Sequence, residues 1–140
     1  MILTEIAYNS PEYQKTLALR ERVLRIPLGL KLSDIDTADE DQQLHFAVFD
    51  ERTLVASVVA KPLGNGAVKL RQMAVCPQQQ RKGVGRQLLR LVENTLWQRG
   101  FQRIEMSARQ SAIGFYEKLG YRTSGESYIE QGIPHIKMQR

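Results

Sequence analysis

The sequence predicts an α/β fold, a mixed sheet with helices packed on both of its faces. Apolar runs of strand length, such as Leu54 to Ala60, alternate with stretches whose apolar residues recur at spacings of three and four. Glycine, proline and asparagine punctuate the joins, as in Gly64-Asn65-Gly66. With 140 residues, of which 42% are hydrophobic and 25% charged, the chain has room for one core and is expected to form one domain over residues 1–140.

Ile2 to Tyr8 reads as a first strand. A helix begins at Asn9-Ser10-Pro11-Glu12: Ser10 can cap it, Pro11 suits its first position, and Glu12 favours the positive end of the helix dipole. It is expected to reach Arg25, with Leu17, Ala18, Val23 and Leu24 among its apolar positions, before Pro27 stops it. Residues 26–41, broken by proline and glycine and then acidic, read as a loop or broken helix over a site. His45 to Phe49 and Leu54 to Leu63 form a hairpin around Asp50-Glu51-Arg52, and the turn at Gly64 leads into a strand from Ala67 to Val75. A long helix from Gly83 to Arg99 follows, its buried stripe drawn from Val84, Leu88, Leu91, Val92, Thr95 and Leu96, with Gly100 closing it. Next come a strand at Arg103 to Ala108, a short helix from Ser111 to Leu119, and two strands, Tyr121 to Ile129 and Ile133 to Met138, around Gly132.

The longest apolar run is far short of the roughly 20 residues a membrane span needs. No basic region precedes an apolar stretch at Met1-Ile-Leu-Thr-Glu-Ile6, and the single cysteine, Cys76, has no internal partner. A cytoplasmic setting is expected. Residues 1–64 carry seven Lys/Arg against ten Asp/Glu and residues 65–140 thirteen against five, so the net +5 divides into −3 and +8. A basic C-terminal half suits an anionic ligand, and the acidic cluster at Asp34, Asp36, Asp39, Glu40 and Asp41 suits a cationic one. Aromatics are not interleaved with the basic residues, so nucleic acid is not an expected partner.

Gln80-Arg81-Lys82-Gly83-Val84-Gly85 stands between a strand and a helix. The first turn of a helix exposes N–H groups without intrahelical partners, and its dipole adds partial positive charge. Glycine lets that backbone approach a phosphate closely, and Arg81, Lys82 and Arg86 add full charges. The segment is neither a Walker loop nor a dinucleotide fingerprint, lacking the Gly-Lys-Ser/Thr ending of the one and the third glycine of the other. It reads as a pyrophosphate cradle.

This stretch resembles the Gln/Arg-x-x-Gly-x-Gly/Ala signature of the GNAT superfamily of N-acetyltransferases. Leu70 to Pro77 is similar to the family's fourth strand, Ala112 to Tyr121 to its Phe-Tyr-x-x-Leu-Gly-Phe/Tyr block, and Gly132-Ile-Pro-His135 to an ending of the ElaA-like branch. The likeness spans residues 67–138. It implies a central, mostly antiparallel sheet of six or seven strands flanked by about four helices. It also implies acetyl transfer from acetyl-CoA to an amine by direct attack on the thioester, without a metal. The acceptor would be a small molecule or peptide, and a homodimer is one assembly found among relatives. By the same resemblance Met73, Ala74 and Val75 would meet the pantetheine arm through their backbone, and Gln80 to Arg86 the pyrophosphate. Tyr116 would touch the cofactor and act as general acid, since a phenol of pKa about 10 can protonate a thiolate. Relatives place an asparagine after the fifth strand; here Arg109 and Gln110 precede Ser111, which would make that contact. The fourth strand offers no glutamate base, reading Lys69-Leu-Arg-Gln72. The base stays open among His135, His45, Asp36, Glu40 and water. The basic residues Arg20, Arg22 and Arg25 oppose a cationic acceptor if they face the site. A module that binds acyl-CoA without turnover is the alternative function.

Overall fold

In the computed structural model, which describes all 140 residues, seven strands form one sheet in the order β1-β2-β3-β4-β5-β7-β6. The strands are β1 (Ile2–Ile6), β2 (Leu44–Asp50), β3 (Thr53–Gly64), β4 (Ala67–Val75), β5 (Arg103–Arg109), β6 (Arg122–Glu130) and β7 (Ile133–Gln139). Every neighbouring pair is antiparallel except β4 and β5, whose connection is the helix α2 (Val84–Gln98). Three α-helices, α1 (Pro11–Arg20), α2 and α3 (Ile113–Lys118), flank the sheet, close to the expected number of about four. The remaining helical residues are a broken continuation of α1 over residues 21–28 and single 3-10 turns at Glu40–Gln42, Pro77–Gln79 and Gln110–Ala112. None of these helices is long and apolar enough to cross a membrane.

The main core lies between the sheet and α2, where Val84, Leu88, Leu89, Val92 and Leu96 pack on Phe46, Val58, Val68 and Ile104. Leu89 and Glu93 belong to this buried face, whereas Leu91 and Thr95 sit at its margin. Glu93 can be buried because its carboxylate accepts from Tyr121 Oη (2.6 Å), Arg140 Nη1 (2.8 Å) and Arg90 Nη1 (2.9 Å). In the short helix Phe115 is 41% exposed, while Tyr116 packs against the core.

On the opposite face lies α1. Ser10 caps it as expected, its hydroxyl accepting from Tyr13 N at 3.1 Å, with Pro11 in the first turn. Its buried residues are Tyr13, Thr16, Leu19 and Arg20, and Ala18 is exposed. The α-helix ends at Arg20, and a π-turn over Glu21–Arg25 follows, its last bond running from Ile26 N to Glu21 O. A π-turn advances through less than 100° per residue, so residues five apart come closer to one side than they would in an α-helix. Arg20 and Arg25 are five apart, and both turn inward toward the acidic segment.

There Arg20 grips Glu40 with both terminal nitrogens (2.8 and 2.7 Å), and Arg25 grips Asp36 with Nε and Nη2 (3.1 and 2.8 Å). Tyr13 Oη donates to Glu40 at 2.6 Å, and Arg71 of β4 donates to Glu40 (3.1 Å), Gln43 (2.9 Å) and the Asp36 carbonyl (2.8 Å). Burial alone would raise the Glu40 carboxyl, but hydrogen bonds from Arg20, Tyr13 and Arg71 outweigh it and hold the group below its ordinary value. Hydrogen bonding from Arg25 lowers Asp36 in the same direction. The acidic segment is therefore fastened to α1 and β4 by paired charges.

Breaking a buried ion pair from one side leaves the other charge uncompensated, so Glu40→Gln should cost about 3 kcal/mol in urea denaturation. Because both carboxyls titrate lower in the folded chain, their contribution is complete above their ordinary values of 3.8 and 4.5 and is lost as pH falls through the folded ones. Stability of the parent should therefore drop on acidification below about 4.5, and less steeply in Glu40→Gln.

Candidate active site

The site arises where the sheet comes apart. β4 and β5 are paired only over Ala67–Leu70 against Arg103–Met106, and beyond that point they separate. One cause is an extra residue in β4: Ser57 lies opposite Ala74 but Val59 opposite Arg71, with Gln72 at φ 55°. Such a bulge bends its strand and sharpens the local twist. Gln72 is a non-glycine residue in the left-handed region, and Arg20 Nε donates to its Oε1 at 3.3 Å. The same buried arginine thus steadies the bulge and the acidic segment. A second cause is β7, which engages β5 out to Arg109, opposite His135.

The gap is a cavity of about 470 Å³ that reaches both faces of the sheet. Strand alternation sets its two sides. Met106 and Ala108 of β5, with Leu89, Ala112 and Tyr116, line the side facing α2 and α3. On the other side stand Lys69, Arg71, Ser107, Arg109, Glu130 and His135, below Leu24, Ile35 and the Arg25–Asp36 pair.

Tyr116 has its hydroxyl in this cavity and makes no hydrogen bond within the chain. Burial pushes the phenol up to about 12, against a pull the other way from Arg109. His135 is buried, and its Nδ1–H donates to the Ile133 carbonyl at 2.7 Å. In the neutral ring this leaves the lone pair on Nε2, which lies 3.8 Å from Glu130 Oε2. Tyr128 stacks on the imidazole, with ring centroids 6.3 Å apart, and Ser107 Oγ donates to Glu130 Oε2 at 2.6 Å. Ser107 and Tyr128 share a further hydrogen bond through their hydroxyls. Sequence reasoning missed Glu130, Ser107 and Tyr128. The signal lay in the hairpin: a turn at Gln131-Gly132 sets Glu130 opposite Ile133 and Tyr128 opposite His135, so those four share one end of the β6–β7 ladder.

The other histidine is elsewhere. His45 is buried against Tyr8 and Tyr13, its Nε2–H donating to the Glu40 carbonyl at 2.7 Å, and it does not line the cavity. Glu40 is fully enclosed by its partners, and both Asp36 oxygens are engaged by Arg25, with a further hydrogen bond from Ser33 N at 3.0 Å. The structure therefore brings Tyr116 and His135 together with the gap and leaves His45 outside it.

The end of β4 leads from the gap to the start of α2. Met73 lines the cavity, Ala74 is buried, and Val75 lies beside Gly85, whose Cα-side space is bounded by Val75 Cγ2 and Phe115 Cζ at 3.7 and 3.9 Å from an ideal Cβ. Gln80 Nε2 donates to the Val75 carbonyl at 3.0 Å, tying the turn to the strand end. Arg81 at φ 65° and Gly83 at φ 81° reverse the chain so that the first N–H groups of α2 point outward, and nothing lies within 4 Å of where a Gly83 side chain would start. Arg81, Gly83, Arg86, Phe115, Lys118 and Leu119 surround a second hollow of about 220 Å³. Open backbone donors, three cations and an aromatic ring can hold a phosphate-bearing ligand there. Ser111 is exposed in the short segment before α3 and does not line either hollow.

A mixed seven-stranded sheet that parts between β4 and β5, with an anion cradle at the start of the crossover helix, is the arrangement these observations describe. Residues 33–140 match the model of the acetyltransferase (GNAT) domain, and the chain belongs to that family. It is 25% identical to the uncharacterized N-acetyltransferase YjcF of Bacillus subtilis, over 96% of each chain. Among solved structures it shares its fold with an acyl-CoA N-acyltransferase from Pseudomonas aeruginosa (TM-score 0.86, 19% identity, 99% of this chain and 98% of that one). ElaA of Escherichia coli is as near (TM-score 0.85, 22% identity, the same coverage).

Proposed function

We propose that residues 1–140 are one N-acetyltransferase domain that moves an acetyl group from acetyl-CoA to the amine of a small molecule or peptide in the cytoplasm. The observation that carries this reading is the parting of β4 from β5 with an anion cradle at Gly83 close by, where the strand end at Val75 packs beside Gly85. The cradle suits the phosphates of a nucleotide-bearing thioester, and the sheet gap suits its acyl end together with a second substrate.

In this reading Gln80 to Arg86 hold the pyrophosphate, and the unpaired edge of Met73 to Val75 takes the pantetheine arm. The acceptor nitrogen approaches from the side of the sheet that carries His135. His135 Nε2 accepts its proton, and Glu130 stabilises the imidazolium that results. The nitrogen lone pair forms the new bond to the thioester carbon, and the C–S bond breaks with its electrons going to sulfur. Tyr116, on the opposite side of the gap, gives its proton to that thiolate. Base and acid thus stand on the two sides of the sheet, with the reacting bond between them. A phenol pushed up to about 12 is fully protonated at neutral pH, although proton release is costlier than from an ordinary tyrosine.

The first test is release of thiol from acetyl-CoA in the presence of a panel of amines. Binding of CoA without any turnover would leave the alternative of an acyl-CoA-binding module.

Three variants should separate the roles. Arg81→Ala with Arg86→Ala should weaken CoA binding on the order of 10-fold or more and flatten its salt dependence, measured by calorimetry at two ionic strengths. Tyr116→Phe should keep CoA affinity and lower turnover on the order of 10²-fold. His135→Ala should lose the ascending limb of the rate profile with pH, whereas His45→Ala should keep it wherever the fold is intact.

A further inference from the structure

The acceptor side of the gap has an unbalanced charge. The two carboxylates that the acidic segment brings nearest, Asp36 and Glu40, are consumed by Arg25, Arg20 and Arg71. The remaining acids of that segment point away: Asp34, Asp39 and Asp41 are exposed and line no part of the cavity. Glu105 is shared between Arg103 (3.0 Å) and Lys137 (3.4 Å). Two cations on the cavity wall are left over. Neither Lys69 nor Arg109 makes an ion pair or hydrogen bond within the chain, and both line the cavity on the same side of the sheet as His135. The sole carboxylate on that wall without a cationic partner of its own is Glu130, beside His135.

Lys69 is not placed to serve the cofactor's phosphates. It lies six residues before Val75, so roughly 20 Å of extended strand separates it from the end where the cradle begins. A pantetheine arm carries no charge for it to meet. An ammonium half-withdrawn from water, with no internal partner, fits an anionic group on the other substrate.

Resting on the acyl-transfer reading, we propose that the acceptor is an amine that bears its own carboxylate, a small amino acid or amino acid-like zwitterion. Its amino group lies at Glu130 and His135, and its carboxylate at Lys69 and Arg109. The ammonium form is drawn in by the Glu130 carboxylate and gives its proton to His135 before attack. This reverses the preference for cationic amines that the acidic run in the sequence suggested, because Asp36 and Glu40 are spent inside the fold and Asp34, Asp39 and Asp41 line no part of the cavity.

The test uses matched pairs of acceptors: alanine against ethylamine, phenylalanine against phenethylamine, lysine against cadaverine. With the full chain and acetyl-CoA, kcat/KM should favour each amino acid by about 10- to 100-fold. Lys69→Ala and Lys69→Met should raise KM for the amino acids by a similar factor and leave CoA affinity and the rates with the decarboxylated amines unchanged. A purely structural role for Lys69 would instead move all of these together. Lys69→Glu should turn the preference toward cadaverine. Faster turnover of the decarboxylated amines by the parent chain would overturn the acceptor class while acyl transfer stands. Absence of thiol release with every amine, from protein that binds CoA, would overturn both.

Discussion

The buried pair of Arg20 and Glu40 is the constraint on which the rest of the structure turns. An unpaired charge at either position would be prohibitively costly, so whatever satisfies one must be present when the other is buried. Arg20 comes from the last turn of α1, Glu40 from the far end of the acidic segment, and the additional donors from α1 and β4. One ion pair therefore fixes three pieces of chain that are remote in sequence. The Nε of Arg20 reaches Gln72 in addition, which couples the same pair to the bulge that bends β4 away from β5. Pairing of charge on one face of the sheet and the opening of the sheet are in this way a single arrangement.

That opening gives the molecule its sidedness. Sheet alternation assigns Tyr116 with the apolar α2 face to one side and His135 with a field of charged residues to the other. A closed sheet would keep the two groups apart by the thickness of its backbone. Where β4 and β5 diverge, both border one cavity.

Much of this was legible in the chain, and what was not follows a pattern. Local signals carried: Ser10 and Pro11 mark the start of α1, the basic glycine turn marks the start of α2, and the segment like the Phe-Tyr-x-x-Leu-Gly-Phe/Tyr block holds Tyr116, which lines the cavity. The strands were found because their apolar runs are short and bounded by turns. Sequence could not say which charges neutralise one another. Asp36 and Glu40 look like free acids until Arg20, Arg25 and Arg71 are folded onto them, and arginines in a helix look like solvated surface until a π-turn rotates them inward. The same limit hid Glu130 and Tyr128. Their partnership with His135 depends on hairpin register, which the tight turn at Gln131-Gly132 sets but whose result on the cavity side no single residue announces. His45 and His135 were equivalent as bare residues and differ only in what surrounds them.

The short parallel seam between β4 and β5 has a consequence for how the chain reaches its native state. Strands β2 to β4 are joined by tight turns, as are β6 and β7, and such local hairpins close with little loss of chain entropy. The seam instead joins Ala67–Leu70 to Arg103–Met106 across the whole of α2, a closure of more than thirty residues rewarded by only four paired positions. Two stable sub-sheets thus meet late and along a narrow front. The gap lies on that front, so its shape depends on the docking of the two sub-sheets along four paired positions.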